Sequence, residues 1–548
     1  MTALATALRE VAGNRSIRNA ELAWFIAMSA QWAYFVAALV FAYDVGGVAA
    51  AGIAGTLRML PAAFLAPFTT MLADRLSPRL VLFWLNAGRF AAVAVIAIVI
   101  ASGLPAAVVF VAITLEGILS TLNRPTHVSL LPALARSPQE LVAANATTSS
   151  GEALGMLIGP FVGGLFMAVG GTALGTAVPA LAFAAAALIV LRIERTPRTY
   201  RPPAPGEERS RLNELMAGFA AMRTYPAVGG LIALFGAQVF VRGVLTVLLV
   251  VVSVELLGLG SSGVGYLNAA LGAGSLVGAF AAFTLVLRPS LALPFSAALG
   301  LWGIPIILLG LAPQVLLAFL FMGVIGVANA VMDVSGISLV QRSVPTKLRA
   351  RVFGAGEAIL SLTAGIGSLV APILVAFVSL EMALVIVGAI LPILAVVSAP
   401  LVRRADASAI VPHRELELLR GVPMFAPLPL TALEQVAGGL VPERHETGTE
   451  VIRQGDRGDC WYLIAAGSVD VVHDGEWLKT LNAGEAFGEI ALLSDRPRTA
   501  TIRVRDTIDV LRLPRETFLE ALTGSPRAQL AGDSVVAERL AELDEVHR

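Results

Sequence analysis

The sequence lacks several features that would assign it to common protein classes. Only 14% of its 548 residues are charged, whereas a typical soluble protein carries about 25%. The formal net charge is zero, so the charge of the whole chain gives no support for nucleic-acid binding. Cys460 is the single cysteine, which excludes a disulfide within the chain. These shortages argue against a soluble nucleic-acid-binding protein and against a disulfide-stabilised one.

Motifs for catalysis and for ATP use are also missing. The sequence contains no GxxxxGK[ST] pattern, the glycine-rich loop that holds nucleotide phosphates in many ATPases. It contains no kinase or cyclase motif either. The sequence therefore predicts no enzyme activity, no catalytic residue, no metal site and no cofactor, and it predicts that any transport is not driven by ATP through this chain.

Long apolar runs dominate the chain from about residue 21 to residue 401, and 57% of all residues are hydrophobic. Each run is long enough to cross the hydrocarbon core of a bilayer as a helix. Arginine and lysine concentrate in alternate loops between the runs, which places those loops and both termini in the cytoplasm. The sequence thus predicts a multi-pass protein of the plasma (inner) membrane with twelve spans, centred near residues 32, 58, 92, 114, 158, 182, 238, 272, 300, 324, 364 and 390.

A long polar loop over residues 194–225 divides the predicted spans into two halves of six. The halves echo each other, because residues 127–160 and 336–372 share a Ser-Leu helix end, a basic loop with proline, and a Gly-Glu-Ala segment that runs to a proline. Parallel repeats of six spans are typical of transporters, in which the substrate site lies between the halves.

Two motifs make this region resemble the major facilitator superfamily, most closely its enterobactin-exporter and macrolide-efflux type. The stretch 72–79, LADRLSPR, resembles the family's loop between spans two and three, although Thr70 and Ser77 stand where glycines are usual. The stretch 155–164, GMLIGPFVGG, matches a GxxxGPxxGG pattern that the family associates with antiporters, hence with export. Glycines also let helices pack closely and proline bends a helix, so ordinary packing is the alternative reading. The motif residues are Asp74, Arg75, Arg79, Gly155, Gly159, Pro160, Gly163 and Gly164.

Charged side chains inside predicted spans are costly and usually functional. A carboxyl group buried among apolar residues can carry a proton, and Glu116 lies furthest from any span end. The alternative for the other carboxylates is that they lie near cytoplasmic ends, solvated or paired with loop arginines. The candidates for proton coupling or transport are Glu116, Glu152, Asp333 and Glu357, with Arg89 and Arg242 as charges that could offset them.

The composition changes near residues 403–412, and the rest of the chain alternates like a soluble domain. The sequence predicts a transporter domain over residues 1–402, a cytoplasmic linker over 403–418 and a third region over 419–548. In that last region a short helix is followed by strands separated by glycine turns and then by two helices, which indicates a β-barrel or sandwich with flanking helices. The predicted fold is therefore a twelve-helix membrane protein with a C-terminal β jelly-roll.

This C-terminal region resembles the cyclic-nucleotide-binding domain. Residues 454–459, QGDRGD, match a turn of that family, and residues 487–501, FGEIALLSDRPRTAT, match its phosphate-binding cassette. The resemblance implies that Glu489 accepts the ribose 2′-hydroxyl and that the backbone N–H groups of Ile490 and Ala491 face the cyclic phosphate. It also implies that Arg498 brings a full charge to the phosphate. The predicted binding residues are Phe487, Gly488, Glu489, Ile490, Ala491, Arg498, Thr499 and Ala500.

Three functions fit these predictions. The first is a secondary exporter of a small, lipophilic solute, coupled to protons and regulated by cAMP, with cGMP as the alternative ligand because Thr499 follows the arginine. The second is a membrane sensor that has a transporter fold, signals to a partner and moves nothing. The third is a constitutive transporter with a silent tail. The expected partners are the solute, the cyclic nucleotide and the lipid bilayer, and no nucleic acid.

Overall fold

The computed structural model of the chain describes residues 13–73, 77–194, 207–283, 290–344, 346–407, 413–428, 430–494, 496–523 and 526–545. The chain divides into two compact units, Met1–Ala409 and Ile410–Arg548. The first unit is helical, and the second contains an antiparallel sheet with helices on both sides of it in sequence.

The first unit consists of thirteen α-helices in its described residues, with one π-helical turn, Val252–Leu256. The helices are α1 Arg15–Ala73, α2 Pro78–Ser102, α3 Ala107–Ser120, α4 Asn123–Leu134, α5 Pro138–Val190, α6 Glu207–Thr224, α7 Pro226–Val251, α8 Gly260–Phe283, α9 Ala292–Leu311, α10 Val315–Ser343, α11 Thr346–Phe377, α12 Leu380–Val397 and α13 Ala399–Ala407. In the described part of the chain, ten helical segments are long and apolar enough to cross a membrane. The expectation of a multi-pass helical membrane region is therefore confirmed.

Two of these ten segments are much longer than the others. Arg15–Leu65 and Glu140–Val190 have 51 residues each, and each contains a glycine pair that interrupts the helix. Gly47 has φ 62° and Gly171 has φ 64°, a region of backbone space that favours glycine. The preceding glycines, Gly46 and Gly170, are also non-helical. Helices α1 and α5 are thus each interrupted by a pair of non-helical glycines.

Apolar side chains in the first unit form two main clusters in the described residues. One cluster draws mostly on α1–α5 and includes Tyr34 and Phe183, and the other draws mostly on α7–α13 and includes Phe295 and Trp302. The side chains on the remaining faces are exposed and strongly apolar, as expected where a helix faces lipid.

The second unit begins with two short helices and then folds into a six-stranded antiparallel sheet in the order β1-β6-β3-β4, in which β2 pairs with β6 and β5 pairs with β3. The elements are α14 His413–Gly421, α15 Leu430–Gly438, β1 Val441–His445, β2 Glu450–Ile452, β3 Cys460–His473, β4 Glu476–Asn482, β5 Ala486–Phe487, α16 Glu489–Leu493, β6 Thr501–Pro514, α17 Arg515–Thr523 and α18 Pro526–Glu545. The predicted helix, strands and two final helices are present in that order.

Two apolar clusters hold this unit together. Phe425, Trp461 and Phe518 pack edge-to-face and stacked where the helices meet the sheet, with ring centroids 5.1–5.9 Å apart. The second cluster fills the interior of the sheet, where Val469, Ile502 and Val504 are buried. This second cluster leads directly into a cavity at the cassette.

Candidate functional site

A cavity of about 260 Å³ opens in the second unit between the sheet, α16 and the C-terminal helix α18. The eight residues that the sequence predicts for ligand binding all line it. Seven further lining residues come from the strands and from α18, namely Ile452, Val471, Leu478, Lys479, Leu481, Ile502 and Arg539. The lining therefore combines the charged groups of Glu489, Arg498 and Arg539 with an apolar wall that comes mostly from the strands.

Phe487 and Gly488 begin the cassette and line the cavity. Phe487 pairs with Tyr462 of β3, and the two rings stack with centroids 5.1 Å apart. Burial raises the pKa of Tyr462 to about 12, so this phenol is neutral at physiological pH. Gly488 has φ 95°, and a Cβ there would stand 2.7 Å from Nη1 of Arg498. Only glycine meets both demands, which explains why the cassette starts with it.

Arg498 is the buried cation of the cavity. Its side chain is 5% exposed, and its Nη1 and Nη2 donate to the carbonyl oxygens of Gly488 and Cys460 at 2.9 and 2.7 Å. Burial lowers the pKa of Arg498 from its ordinary value. Its nearest described carboxylate, that of Asp459, is 3.6 Å away and itself 82% exposed. The guanidinium is therefore fixed in place by backbone carbonyls, with its charge only weakly offset.

The QGDRGD turn holds the segment that carries this arginine, just before β6. The N–H of Gly455 donates to the carbonyl oxygen of Arg498 at 2.9 Å, and the N–H of Arg498 donates to the carbonyl oxygen of Asp456 at 2.8 Å. A Cβ on Gly458 would stand 2.7 Å from the Cβ of Ala491. The two motifs are thus one structural unit, because the turn packs against the cassette and fixes its backbone.

Glu489 is the buried anion of the cavity, 1% exposed. Its Oε1 accepts a hydrogen bond from Nη1 of Arg539 at 2.7 Å, and the same Nη1 donates to the carbonyl oxygen of Ala486 at 2.8 Å. Its Oε2 is buried with no hydrogen-bond partner among the described residues. Sequence reasoning identified Glu489 but missed Arg539. One signal in the sequence could have pointed to Arg539: it lies between Val536 and Leu540, which belong to an apolar face of the final helix.

Thr499 and Ala500 lie half-buried at the mouth of the cavity. The carbonyl oxygen of Thr499 lies 2.6 Å from Nδ1 of His473, which donates to it. Ala500 packs on the interior apolar cluster. The cavity therefore offers a fixed cation, a carboxylate with one free oxygen, and an apolar wall.

In the membrane unit, Glu116 lies in a buried cluster with two arginines. Its Oε1 is 2.7 Å from Nη2 of Arg89, its Oε2 is 3.3 Å from Nε of Arg58, and Tyr34 donates a hydrogen bond to it. The side chains of Glu116 and Arg89 are fully buried. The predicted pairing of a deep carboxylate with Arg89 is present in the structure. Sequence reasoning missed Arg58, although it is a charged residue inside an apolar run, as Glu116 and Arg89 are.

The other three carboxylates differ in their surroundings. Glu152 faces Arg124 at 3.7 Å, and both side chains are at least 40% exposed. Glu357 is exposed on α11. Asp333 is half-buried on α10 and accepts a hydrogen bond from Nδ2 of Asn329 at 2.9 Å. Asp333 is therefore the one of these three that the protein surrounds.

The glycine motif on α5 packs against two different helices. A Cβ on Gly155, Gly159 or Gly163 would stand 2.4–3.0 Å from atoms of Met28, Ser29 or Ala33 on α1, whereas a Cβ on Gly164 would stand 2.8 Å from the carbonyl oxygen of Ser262 on α8. Pro160 approaches α8 too, because its carbonyl oxygen is 2.5 Å from where a Cβ of Gly265 would be. The motif thus permits close approach of α5 to both neighbours.

Only part of the motif near residues 72–79 can be placed. Asp74 and Arg75 lie outside the described residues. Arg79, on the first turn of α2, donates from Nη2 to the carbonyl oxygen of Leu191 and from Nε to that of Val190 at 3.4 Å. It therefore caps the C-terminal end of α5.

Comparisons with curated proteins and solved structures concern the C-terminal unit. The cAMP-dependent protein kinase regulatory subunits of Yarrowia lipolytica and Debaryomyces hansenii are 36% and 34% identical to this chain over 106 and 107 residues. These matches cover 19% of this chain and 28% and 24% of those proteins, so the chain spans about a quarter of the relatives it matches.

Two solved structures are similar to the same region. A structure described as Sp-2Cl-cAMPS bound to PKAR CBD2 is 25% identical, with 25% of this chain and 93% of that one covered and a TM-score of 0.23. The regulatory domain of Toxoplasma gondii PKA with cAMP is 26% identical, with 25% and 55% covered and a TM-score of 0.22. Among family models, residues 442–525 match the cyclic nucleotide-binding domain, and residues 22–292 match the Major Facilitator Superfamily.

Proposed function

We propose that this protein is a secondary transporter of the membrane that is regulated by a cyclic nucleotide bound to its C-terminal domain. The observation that carries the proposal is the 260 Å³ cavity, in which the buried Arg498 and Glu489 face an apolar wall. The match of residues 22–292 to a transporter family and the ten apolar helices support the transport function. The domain limits that we propose are 1–402, 403–418 and 419–548.

The proposed ligand is cAMP, with cGMP as the alternative. The cyclic phosphate would bind at Arg498, which two backbone carbonyls hold in place and whose nearest described carboxylate, that of Asp459, lies 3.6 Å away and is mostly exposed. The ribose hydroxyl would donate to Glu489, where one oxygen has no partner in the described structure. The base would lie on the apolar wall that includes Val471 and Leu481. The names of the similar kinase subunits, which refer to cAMP, support this choice.

The proposed topology has twelve spans in two halves of six, with both termini in the cytoplasm of a cell bounded by the plasma (inner) membrane. A helix of 51 residues is roughly 75 Å long at 1.5 Å per residue, more than twice the roughly 30 Å hydrocarbon core. Breaking α1 at Gly46–Gly47 and α5 at Gly170–Gly171 turns ten segments into twelve.

The proposed direction is export, coupled to proton entry, with the glycine motif on α5 as the feature that favours an efflux-type antiporter. Among the four carboxylate candidates, the surroundings favour Asp333. Protonating Glu116 would leave Arg58 and Arg89 buried without a counter-charge, which is costly. Asp333 has no cation within 4 Å among the described residues, so protonating it would break no ion pair and would leave the amide hydrogen bond from Asn329 in place.

Flux in proteoliposomes tests the regulated transport directly. The full-length protein would be reconstituted, a lipophilic fluorescent dye would be followed across the membrane, and cAMP would be added to the side that carries the C-terminal domain. We expect a change of flux with cAMP that the Arg498→Ala variant does not show. A flux that cAMP leaves unchanged in the wild-type protein would overturn the regulatory part of the proposal.

A membrane sensor without transport is the alternative function. It is favoured by the same cavity and needs no solute path. Nucleotide binding measured by calorimetry, together with no dye flux in either orientation and in a pH gradient, would select the sensor over the transporter.

A further inference from the structure

Among the described residues of the membrane unit, three arginines lie deep within it, and one of them differs from the other two. Arg58 and Arg89 both contact the carboxylate of Glu116. Arg242 on α7 has no carboxylate within 4 Å and no side-chain hydrogen bond among the residues that the structure describes. Its guanidinium lies 5.6 Å from the ring centroid of Trp32. A charge in this position without a direct partner is expensive unless something else binds it.

Arg242 lines a cavity between the helices of the two apolar clusters. The cavity walls come from α1 and α5 on one side and from α7–α10 on the other. Apart from Arg242, only Thr246 and Asn268 among the lining residues are neutral polar groups, and the rest are apolar, including Trp32 and Trp302. The space is narrow in this conformation, about 40 Å³, so a solute needs the widening that alternating access provides.

Asp333 is the carboxylate that could neutralise Arg242, because the two interact electrostatically. It does not line the cavity, and its Oδ2 accepts the hydrogen bond from Asn329. The same Asn329 also accepts a hydrogen bond from the indole of Trp302 at 3.3 Å. These bonds hold Asp333 on residues outside the cavity lining, whereas Arg242 is part of that lining.

We propose that this cavity is the solute site and that it selects an amphipathic anion, whose carboxylate or sulfonate binds Arg242 and whose aromatic or aliphatic body packs between Trp32 and Trp302. An apolar cleft with one correctly placed cation recognises this class of ligand. The cation fixes the orientation of the ligand, and the apolar walls supply most of the affinity. The inference rests on the proposed transport function and adds to it the charge of the solute.

The test uses two probes that share one aromatic framework and differ in charge. 1-Anilinonaphthalene-8-sulfonate is the anion, and N-phenyl-1-naphthylamine is its neutral counterpart. Each is titrated into the full-length protein in detergent while energy transfer from tryptophan is recorded. We expect Arg242→Gln to weaken binding of the anion at least about tenfold, the usual scale for removing one side of a desolvated charge contact. Binding of the neutral probe should change less than about twofold.

Two further variants keep the result interpretable. Arg242→Lys retains the positive charge and should retain most of the preference for the anion, even if Arg242→Gln disturbs the fold. Arg124→Gln removes an arginine that is 66% exposed and lies on the surface, and it should leave both probes unaffected. Equal binding of the two probes to the wild-type protein, or an unchanged anion affinity in Arg242→Gln, would overturn the proposal.

The binding test and the flux test can fail separately. A loss of anion binding in Arg242→Gln together with cAMP-independent dye flux would support the anion site and reject the regulation. A cAMP-dependent flux together with equal binding of both probes would support the regulated transporter and reject the anion site.

Discussion

The protein buries an arginine with a glutamate in two places, and the two places are built differently. In the membrane unit, the carboxylate of Glu116 contacts Arg89 and Arg58 directly, so each of these charges has a protein partner. In the C-terminal unit, Arg498 and Glu489 line the same cavity, but the arginine is held by backbone carbonyls and the glutamate keeps one oxygen without a partner among the described residues.

This difference shows that burial of a charge does not by itself mark a binding site. When all the counter-charges of a buried charge come from the protein, these groups form a structural cluster. Removing one member leaves the charges of the others uncompensated. A buried charge that has no protein counter-charge within 4 Å, or whose only close counter-charge is itself mostly exposed, is able to bind a charged ligand. By this criterion Arg498 and Arg242 are candidates for ligand binding, whereas Arg89 and Arg58 stabilise the fold.

The largest expected effect is on the closed cluster. Glu116→Gln leaves two guanidinium groups without their counter-charge, and we expect the free energy of unfolding to fall by roughly 3–5 kcal/mol. Thermal unfolding of the purified protein in detergent measures it. The matched control is Glu152→Gln, which breaks an exposed pair and should cost less than about 1 kcal/mol. Normal stability of Glu116→Gln with loss of flux driven by a pH gradient would instead make Glu116 the coupling acid.

The second effect concerns ligand affinity at the cavity of the C-terminal unit. Arg498→Ala should weaken cAMP binding by roughly 2–5 kcal/mol, because it removes the charge that we assign to the phosphate. Calorimetry on the full-length protein measures the affinity, and Arg496→Ala, an exposed arginine of the same cassette, serves as the control. A loss below about tenfold, or 1.4 kcal/mol, would mean that the phosphate binds elsewhere.

A third, smaller effect concerns helix packing in the membrane unit. A Cβ on Gly159 would stand 2.4 Å from the carbonyl oxygen of Ser29, so Gly159→Ala must push α5 away from α1. We expect a loss of roughly 1–3 kcal/mol in stability. Gly354→Ala on α11, where a Cβ would meet nothing within 4 Å, should be neutral or slightly stabilising. Equal thermal midpoints for the two variants would contradict the close α1–α5 contact.

The smallest effect is a dependence of stability on pH in the C-terminal unit. A hydrogen bond from Thr480 at 2.6 Å lowers the pKa of Asp470 below its ordinary value of 3.8. Because the pKa in the folded state is the lower one, the stabilisation is complete above that ordinary value and is lost as the pH falls through the folded-state value. Asp470→Asn should therefore cost less than about 1 kcal/mol near pH 7 and nothing in strong acid. Thermal unfolding of both proteins across this range measures the difference, and a constant difference would refute the assignment.

Sequence reasoning reached the parts of the site that are contiguous in the chain. The cassette fixes its own backbone through Gly488 and the adjacent turn, so its eight residues can be named from the order of amino acids alone. Arg539 and Lys479 cannot, because their place at the cavity depends on how α18 and β4 pack on distant strands. In the membrane unit, the length of the apolar runs predicted a multi-pass helical region and singled out Glu116 and Arg89, but it could not show that Arg58 also contacts Glu116.

The contact between Arg539 and Glu489 has a consequence for the position of the final helix. Arg539 binds one oxygen of the carboxylate that we assign to the ribose, and the other oxygen has no partner among the described residues. A bound nucleotide would therefore share one buried carboxylate with the final helix and would not need to displace it. Any preference of the nucleotide for molecules in which Arg539 contacts Glu489 would shift the helix toward that position. By linkage, the helix held in that position would raise the affinity for the nucleotide by the same factor.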